Sequence, residues 1–231
     1  MDYTTWKKTY DEIVQDLNLD KHQDQIAAEI LESLIRQHQK NYISLGVLSE
    51  LITNQTVFVF GAAPSLEPSI KQHLTQFQKS VLIAADGATS ALLKYDIIPN
   101  VIVTDLDGIV SDQIRANEQL SILVVHAHGD NMNIVQQTIP QIKGRYLGTI
   151  QTDPSDHIFV KNFGGFTDGD RSVFLADYFH ARKIVLVGFD CDDNPGFYSF
   201  QQNRDQDKKQ KKLAWCKRLL NQFPDKLITH I

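Results

Sequence analysis

With 231 residues, 42% of them hydrophobic, the chain is long enough for one substantial domain plus a small appendage. Its formal charge of −5 disfavours non-specific nucleic-acid binding, which depends on neutralising phosphates with Lys and Arg, yet leaves a nucleotide substrate open because a divalent cation can supply positive charge locally. No apolar run approaches the roughly 20 residues that span a bilayer, and the start, Met1 to Lys8, lacks the apolar core of a secretory signal, so the expectation is a cytoplasmic protein without a membrane partner.

Residues 1–50 read as helical. Trp6, Tyr10, Ile13, Val14 and Leu17 recur at steps of three and four, and Ile26, Ala27, Ile30, Leu31, Leu34 and Ile35 repeat the pattern after a break at Asn18-Leu19-Asp20. Asp20 is placed to cap the second helix. The pattern predicts an N-terminal helical hairpin (1–50) packed on an α/β domain (51–231), with a structural rather than a catalytic role.

From Thr56 onward the period changes. Runs at 56–60, 81–84, 101–103, 122–125 and 183–187 are short and β-rich, and 67–79, 89–95, 112–119, 131–137 and 171–180 between them suit helices. This alternation predicts an α/β fold, a mostly parallel sheet with helices on both faces. Segments 146–149 and 157–160 are candidates for further strands. The tail, 201–225, reads as a charged helix with a packing stripe of Leu213, Ala214, Cys216, Leu219 and Leu220, and with Arg204, Lys208, Lys209, Lys211 and Lys212 making its first half basic. The two cysteines, Cys191 and Cys216, lie too far apart for a metal finger or a disulfide framework, and Cys191 reads as a small buried or half-buried residue after a strand.

In open α/β sheets ligands bind at the carboxyl ends of the strands, and the distinctive residues fall there. Gly61-Ala62-Ala63-Pro64-Ser65-Leu66 is a small-residue turn opening a helix, where Gly61 allows close backbone approach and Ser65 either caps the helix or donates to phosphate; there is no Walker lysine. Asp86 follows the second strand as a magnesium or substrate ligand, or as a helix cap. Val101-Ile102-Val103-Thr104-Asp105-Leu106-Asp107-Gly108 delivers two carboxylates one residue apart, a donor pair suited to Mg²⁺, with a solvated Asp-rich turn as the alternative. His126-Ala127-His128-Gly129-Asp130 lacks a further ligand at zinc spacing, so Asp130 is expected on the acidic rim and one histidine either orients substrate or packs in the core. Asn162-Phe163-Gly164-Gly165-Phe166-Thr167-Asp168-Gly169-Asp170-Arg171 offers glycines for backbone approach, Phe163 or Phe166 for stacking on a heterocycle, Asp168 or Asp170 for ring N–H groups and Arg171 for phosphate; a flexible loop with Asp170 as helix cap is the alternative. Lys211 and Lys212 are candidates for holding a triphosphate.

Together these motifs resemble the archaeal 6-hydroxymethyl-7,8-dihydropterin diphosphokinase family, similar in its core to the catalytic domain of thiamin pyrophosphokinase. Trp6 and the helical hairpin, the Gly61–Leu66 loop, Ala85-Asp86-Gly87-Ala88, the Thr104–Gly108 and Gly164–Arg171 elements, His126–Asp130, Gly188-Phe189-Asp190 and Lys211-Lys212-Leu213-Ala214-Trp215 carry the likeness. Relatives often have a second glycine where Ala63 stands, a change that matters if a positive φ is needed. The resemblance implies that ATP gives its β,γ-diphosphate to the hydroxymethyl oxygen of a reduced pterin and AMP leaves. It also implies Asp105, Asp107, Asp86 and Asp130 as Mg²⁺ ligands, with Asp105, Asp107, Asp86 and Arg171 catalytic. Gly61, Ser65, Asp86, Gly164, Gly165, Thr167, Asp168, Asp170, Arg171, Lys211 and Lys212 would bind the substrates. Thiamin as acceptor, a sugar-nucleotide-dependent transferase and a non-catalytic nucleotide sensor are the competing readings, and self-association into a homo-oligomer stays open.

Overall fold

Strands that are apolar on both faces need helices above and below them. The computed structural model, which describes residues 3–190, 196–199, 206–224 and 227–231, supplies both layers. Among the described residues the strands are β1 (Thr56–Phe60), β2 (Val81–Ala85), β3 (Val101–Thr104), β4 (Ile122–Ala127), β5 (Tyr146–Ile150), β6 (Val160–Lys161), β7 (Lys183–Val187) and β8 (Ile228–His230). They pair, all parallel, in the order β6-β5-β4-β3-β2-β1-β7-β8. The α/β class and the parallel sheet expected from the alternation are therefore present. Strand β8 and a third N-terminal helix, α3 (Leu45–Ile52), are additions to the sequence reading, and of the 157–160 segment only Val160 enters the short β6.

The two faces are distinct. Phe58, Phe60, Leu82, Ala84, Ile102, Leu123 and Val125 point to one core, covered by α2 (Lys21–Gln37), α4 (Leu66–Phe77), α5 (Ala88–Leu93), α6 (Val110–Glu118) and α7 (Met132–Thr138). Val57, Val59, Ile83, Val101, Val103, Val124 and Leu186 point to the other, covered by α3, α8 (Asp168–Tyr178) and α9 (Gln206–Leu220). This alternation follows from the two-residue repeat of a strand.

The N-terminal helices divide between the faces. Asp20 caps α2 as expected, accepting from the N–H groups of His22 and Gln23. The α2 residues Ala27, Ala28, Leu31 and Ile35 join the first core. The α1 (Tyr3–Leu17) residues Trp6, Tyr10, Ile13 and Leu17 instead build a third cluster with Phe166 and Phe174 and with Trp215 and Leu219 of α9. The tail helix predicted at 201–225 is described over Gln206–Leu220; Arg204 and Cys191 lie outside the described residues. No helix among the described residues is long and apolar enough to cross a membrane.

The chain steps outward from β1 to β6, then returns through α8 to β7 on the other side of β1. The switch point between β1 and β7 opens a crevice at the carboxyl ends of the sheet, where α/β proteins bind ligands.

Candidate active site

Three carboxylates converge at that end. Asp86 follows β2 with a φ of 40°, and its N–H donates to Val103 O at 2.8 Å, prolonging the β2–β3 pairing by one residue. Asp105 follows β3, and Asp168 opens α8. Each offers one oxygen, and those oxygens lie within 4.8 Å of one another. The turn after β3 is fixed from beneath. Thr104 Oγ1 donates to Asp86 Oδ1 at 2.7 Å, Gln113 Nε2 donates to the same oxygen at 2.8 Å, and the Asp105 N–H donates to Asp168 Oδ2 at 3.2 Å. A Cβ at Gly108 would stand 2.5 Å from Asp86 Oδ2, so glycine here leaves room for that carboxylate.

Such a cluster is electrostatically strained without a counter-charge. Burial, then the charges of Asp107 and Asp105, push Asp86 well above the usual carboxylate range. Burial, then Asp105, does the same to Asp168. For Asp105, burial also raises the pKa, but the His128 hydrogen bond and the charges of Arg171 and Lys212 outweigh it and hold the group below the usual range. A divalent cation accepts hard oxygen donors and relieves this repulsion, so the donor set fits one.

Around the carboxylates lies a polar scaffold that reaches into α1 and α2. Arg171 is buried and donates from Nη1 to Asp168 Oδ1 at 3.1 Å and from Nη2 to Gln151 Oε1 at 3.3 Å. The Gln151 amide donates to Asp24 Oδ2 at 2.7 Å, and Asp24 also accepts from Tyr10 OH at 2.6 Å and from the Gly129 N–H at 2.8 Å. Trp6 Nε1 donates to Gln151 O at 3.1 Å. The N-terminal helices thus help to orient Arg171, a role the sequence reading did not assign to them. His128 Nε2 stands 3.4 Å from Asp105 Oδ2, while Nδ1 accepts from the Asp130 N–H at 3.2 Å. That acceptance makes Nε2–H the donor to Asp105.

The carboxylates sit at the seam of two cavities. One, of about 340 Å³, is lined by Asp105, His128, Gln151, Arg171, Lys208 and Lys212, with Phe166 and the α2 residues Gln23 and Asp24. The other, of about 190 Å³, runs along the switch point past Gly61, Ala62, Ala63, Gly188, Phe189 and Tyr198. Asp107, Asp168 and Lys209 line both. Burial lowers Lys209 and Lys212 below the usual ammonium range, as expected for cations turned toward a site rather than toward water.

Other predicted residues are placed differently. Asp130 is not in the cluster: past the Gly129 turn, its side chain is 70% exposed and lies 3.8 Å from Lys208. Lys211 points away from both cavities to Asp16 on α1, at 2.9 Å, because neighbours on a helix diverge by roughly 100°. Ser65 stands at the N-cap of α4 but makes no side-chain capping bond and lines neither cavity; its N–H and hydroxyl both donate to Asp190, at 2.8 and 2.6 Å. Gly61 lines the narrower cavity, but a Cβ there would meet Gly188 O at 2.6 Å, so close packing of β1 on β7 already requires glycine. Ala63 does not adopt a positive φ, so it strains nothing in place of glycine. Of the aromatic candidates, Phe163 packs between Tyr178 and Phe179, whereas Phe166 faces the larger cavity. His126 is the histidine that packs in the core.

The Gly164–Arg171 element works as a brace. Thr167 is the N-cap of α8 and Asp170 its third residue; Asp170 accepts from the N–H groups of Phe166 and Thr167 and from Thr167 Oγ1, closing a capping box. Asp170 is therefore turned inward and spent on the helix start, which lies three residues earlier than 171–180 implied. Gly164 and Gly165 have φ of 88° and 86°, and a Cβ on Gly165 would lie 2.6 Å from Arg171 Cα. Gly165→Ala is expected to destabilise the fold by about 2 kcal/mol or more, combining left-handed backbone strain with overpacking, and to lower turnover by shifting Arg171. Denaturant melts and steady-state rates of the variant check this.

A family model described as "6-hydroxymethylpterin diphosphokinase MptE-like" matches residues 32–196. Proteins named 6-hydroxymethyl-7,8-dihydropterin pyrophosphokinase are similar over nearly the full length. The one from Pyrococcus furiosus is 43% identical over 95% of this chain and 93% of its own. That from Methanocaldococcus jannaschii is 37% identical over 98% of each chain, and that from Methanothermobacter thermautotrophicus 38% identical over 99% of this chain and 94% of its own. Among solved structures, the MAf glycosyltransferase of Magnetospirillum magneticum AMB-1 aligns over 66% of this chain and 25% of that chain, at 17% identity and a TM-score of 0.47.

Proposed function

Because the chain belongs to the MptE-like 6-hydroxymethylpterin diphosphokinase family, we propose that it transfers the β,γ-diphosphate of ATP to the hydroxymethyl oxygen of 6-hydroxymethyl-7,8-dihydropterin. The observation that carries this reading is the cluster of Asp86, Asp105 and Asp168 at the seam of two cavities, one of them ringed by Arg171 and lysines. Two cavities meeting at one acidic centre suit two substrates whose reacting groups must meet there.

The acceptor hydroxyl attacks the β-phosphorus, the bond from that phosphorus to the α-bridging oxygen breaks, and AMP departs. Positioning and electrostatics do most of the work in such transfers. Arg171, Lys208, Lys209 and Lys212 hold polyphosphate oxygens by charge-assisted hydrogen bonds. Asp107, expected from the sequence as a magnesium ligand, stands outside the Asp86, Asp105 and Asp168 group; it lines both cavities and takes the hydroxyl proton on a carboxylate oxygen. Mg²⁺ held by Asp86, Asp105 and Asp168 would supply charge stabilisation on the transferred group. Phe166, with Lys212 Nζ 6.0 Å from its ring centroid, offers an aromatic surface to a flat ring in the larger cavity.

The test is AMP formation with ATP, Mg²⁺ and a panel of acceptors. The reduced pterin should support it, whereas thiamin should not; AMP formation with thiamin alone would reassign the acceptor. The lysines give a second check. Lys212→Met should raise the KM for ATP about tenfold, the equivalent of losing one charged hydrogen bond of roughly 1.5 kcal/mol. Lys211→Met, which loses only the surface pair with Asp16, should leave KM unchanged.

A further inference from the structure

Behind Arg171, on the side away from the carboxylates, the hydrogen-bond accounting is open at two atoms. His126 on β4 is 2% exposed and Arg171 7%. His126 Nδ1 stands 3.1 Å from Thr149 Oγ1, and that hydroxyl donates to Val125 O at 3.2 Å. A hydroxyl has one proton, so Thr149 accepts from Nδ1–H. Burial, reinforced by the charge of Arg171, lowers the imidazole pKa well below its ordinary value, so the ring is neutral and its lone pair lies at Nε2. Neither Nε2 nor Arg171 Nε completes a hydrogen bond within the described structure, although the Gln151 side chain lies near the imidazole and the guanidinium's other two nitrogens are engaged by Asp168 and Gln151. Buried polar atoms of this kind are costly to leave unpaired.

An acceptor and a donor, both unpartnered, thus belong to residues that line one cavity. Its volume is about 10 Å³, and Val103, Val124, Phe163 and Leu175 make the rest of it largely apolar. That is roughly the room one water needs, and the site offers the two polar partners that hold a buried water. We propose that one ordered water in this cavity accepts from Arg171 Nε–H and donates to His126 Nε2, so that His126 is a positioning residue for the Arg171 guanidinium. With Nε held from behind, the plane of the fork is fixed and its outer N–H groups are presented to Asp168 and the larger cavity. His126 never meets substrate; it acts through the water and through Arg171.

The kinetic half of this inference rests on the reading of Arg171 as a polyphosphate-holding group; the structural half does not. The experiment combines a high-resolution crystal structure and ¹⁵N NMR of the wild-type protein with His126→Asn and His126→Gln variants. Asparagine keeps a donor for Thr149 and removes the Nε2 acceptor, whereas glutamine can return an acceptor to that position. The expected results are one ordered water between Arg171 and His126 and an imidazole protonated at Nδ1. His126→Asn should show faster exchange of the Arg171 Nε–H proton and a kcat lowered on the order of 10-fold with little change in KM for ATP. His126→Gln should restore both. A cavity without ordered water, a ring protonated at Nε2, or His126→Asn with wild-type Arg171 exchange would overturn the inference. If the wild type makes no diphosphopterin, the proposed reaction fails alone, while water, tautomer and exchange still decide this question. If His126→Asn does not fold, the wild-type measurements and His126→Gln decide it.

Discussion

Asp86→Asn is expected to lower turnover on the order of 100- to 1,000-fold while leaving the metal-free fold at least as stable as the wild type. The two halves of this result share one cause. Asp86 is buried against Asp105 and Asp107, and burial and their charges push it up, so its negative charge costs the folded state. Asparagine keeps an oxygen to accept from Thr104 and Gln113 and removes that charge. It also tolerates the left-handed backbone, with φ of 40°, better than most residues. Function needs what stability does not, since on the proposed reading the carboxylate oxygen is one of three donors to the cation. Thermal melts separate the effects. In chelator the variant should melt at or above the wild type. Added Mg²⁺ should raise the wild-type melting temperature through linkage, and the variant's much less. A variant that melts well below the wild type in chelator would mean that Asp86 is a structural acceptor rather than a ligand.

Arg171→Met is expected to cost both activity and stability. The side chains of Arg171 and Asp168 are 7% and 10% exposed, so removing the cation leaves a buried carboxylate uncompensated beside Asp105. Breaking one partner of such a pair costs about 3–5 kcal/mol, while turnover falls on the order of 100-fold or more with the loss of a charged donor. Adding Asp168→Asn to Arg171→Met should recover most of the stability, because no orphan charge remains, yet none of the activity. Denaturant midpoints of the two single variants and the double variant form the cycle that measures this coupling. If the double variant is as unstable as the single, the charge pair is not the cause.

The sheet was legible because its signal is local. Val101-Ile102-Val103 and Lys183 to Val187 are β-branched runs bounded by turn residues, and both lie where the pattern puts them. The acids after β2 and β3 were legible for the same reason, since neighbouring parallel strands bring Asp86 and Asp105 together whatever follows. The third member of the cluster was read as a substrate ligand. Asp168 meets Asp105 across 63 positions of sequence, through a crossover whose end point no local pattern specifies. Asp130 looked equivalent by composition and is turned outward instead. The same limit hid the part played by α1 and α2. Asp24 and Gln151 carry no motif, and the bond between them spans 127 positions. A buried acid on an otherwise regular amphipathic face was the available hint, since Asp24 lies one turn before Ala27 and Ala28 on α2. For Lys211 and Lys212 the residue type was informative and the helix phase was not; α1 packs against α9 and draws Lys211 to Asp16, leaving Lys212 over the site.

The central claim is that both terminal phosphates of ATP move together to a pterin hydroxyl at this acidic centre. Its most direct measurement is the fate of ATP labelled separately at the β- and γ-phosphates, incubated with the protein, Mg²⁺ and 6-hydroxymethyl-7,8-dihydropterin. Both labels should appear on the pterin in equal amounts, with one AMP formed per product, and Asp105→Asn should abolish the transfer. Label leaving as free phosphate with ADP, or γ-label alone reaching the pterin, would contradict it.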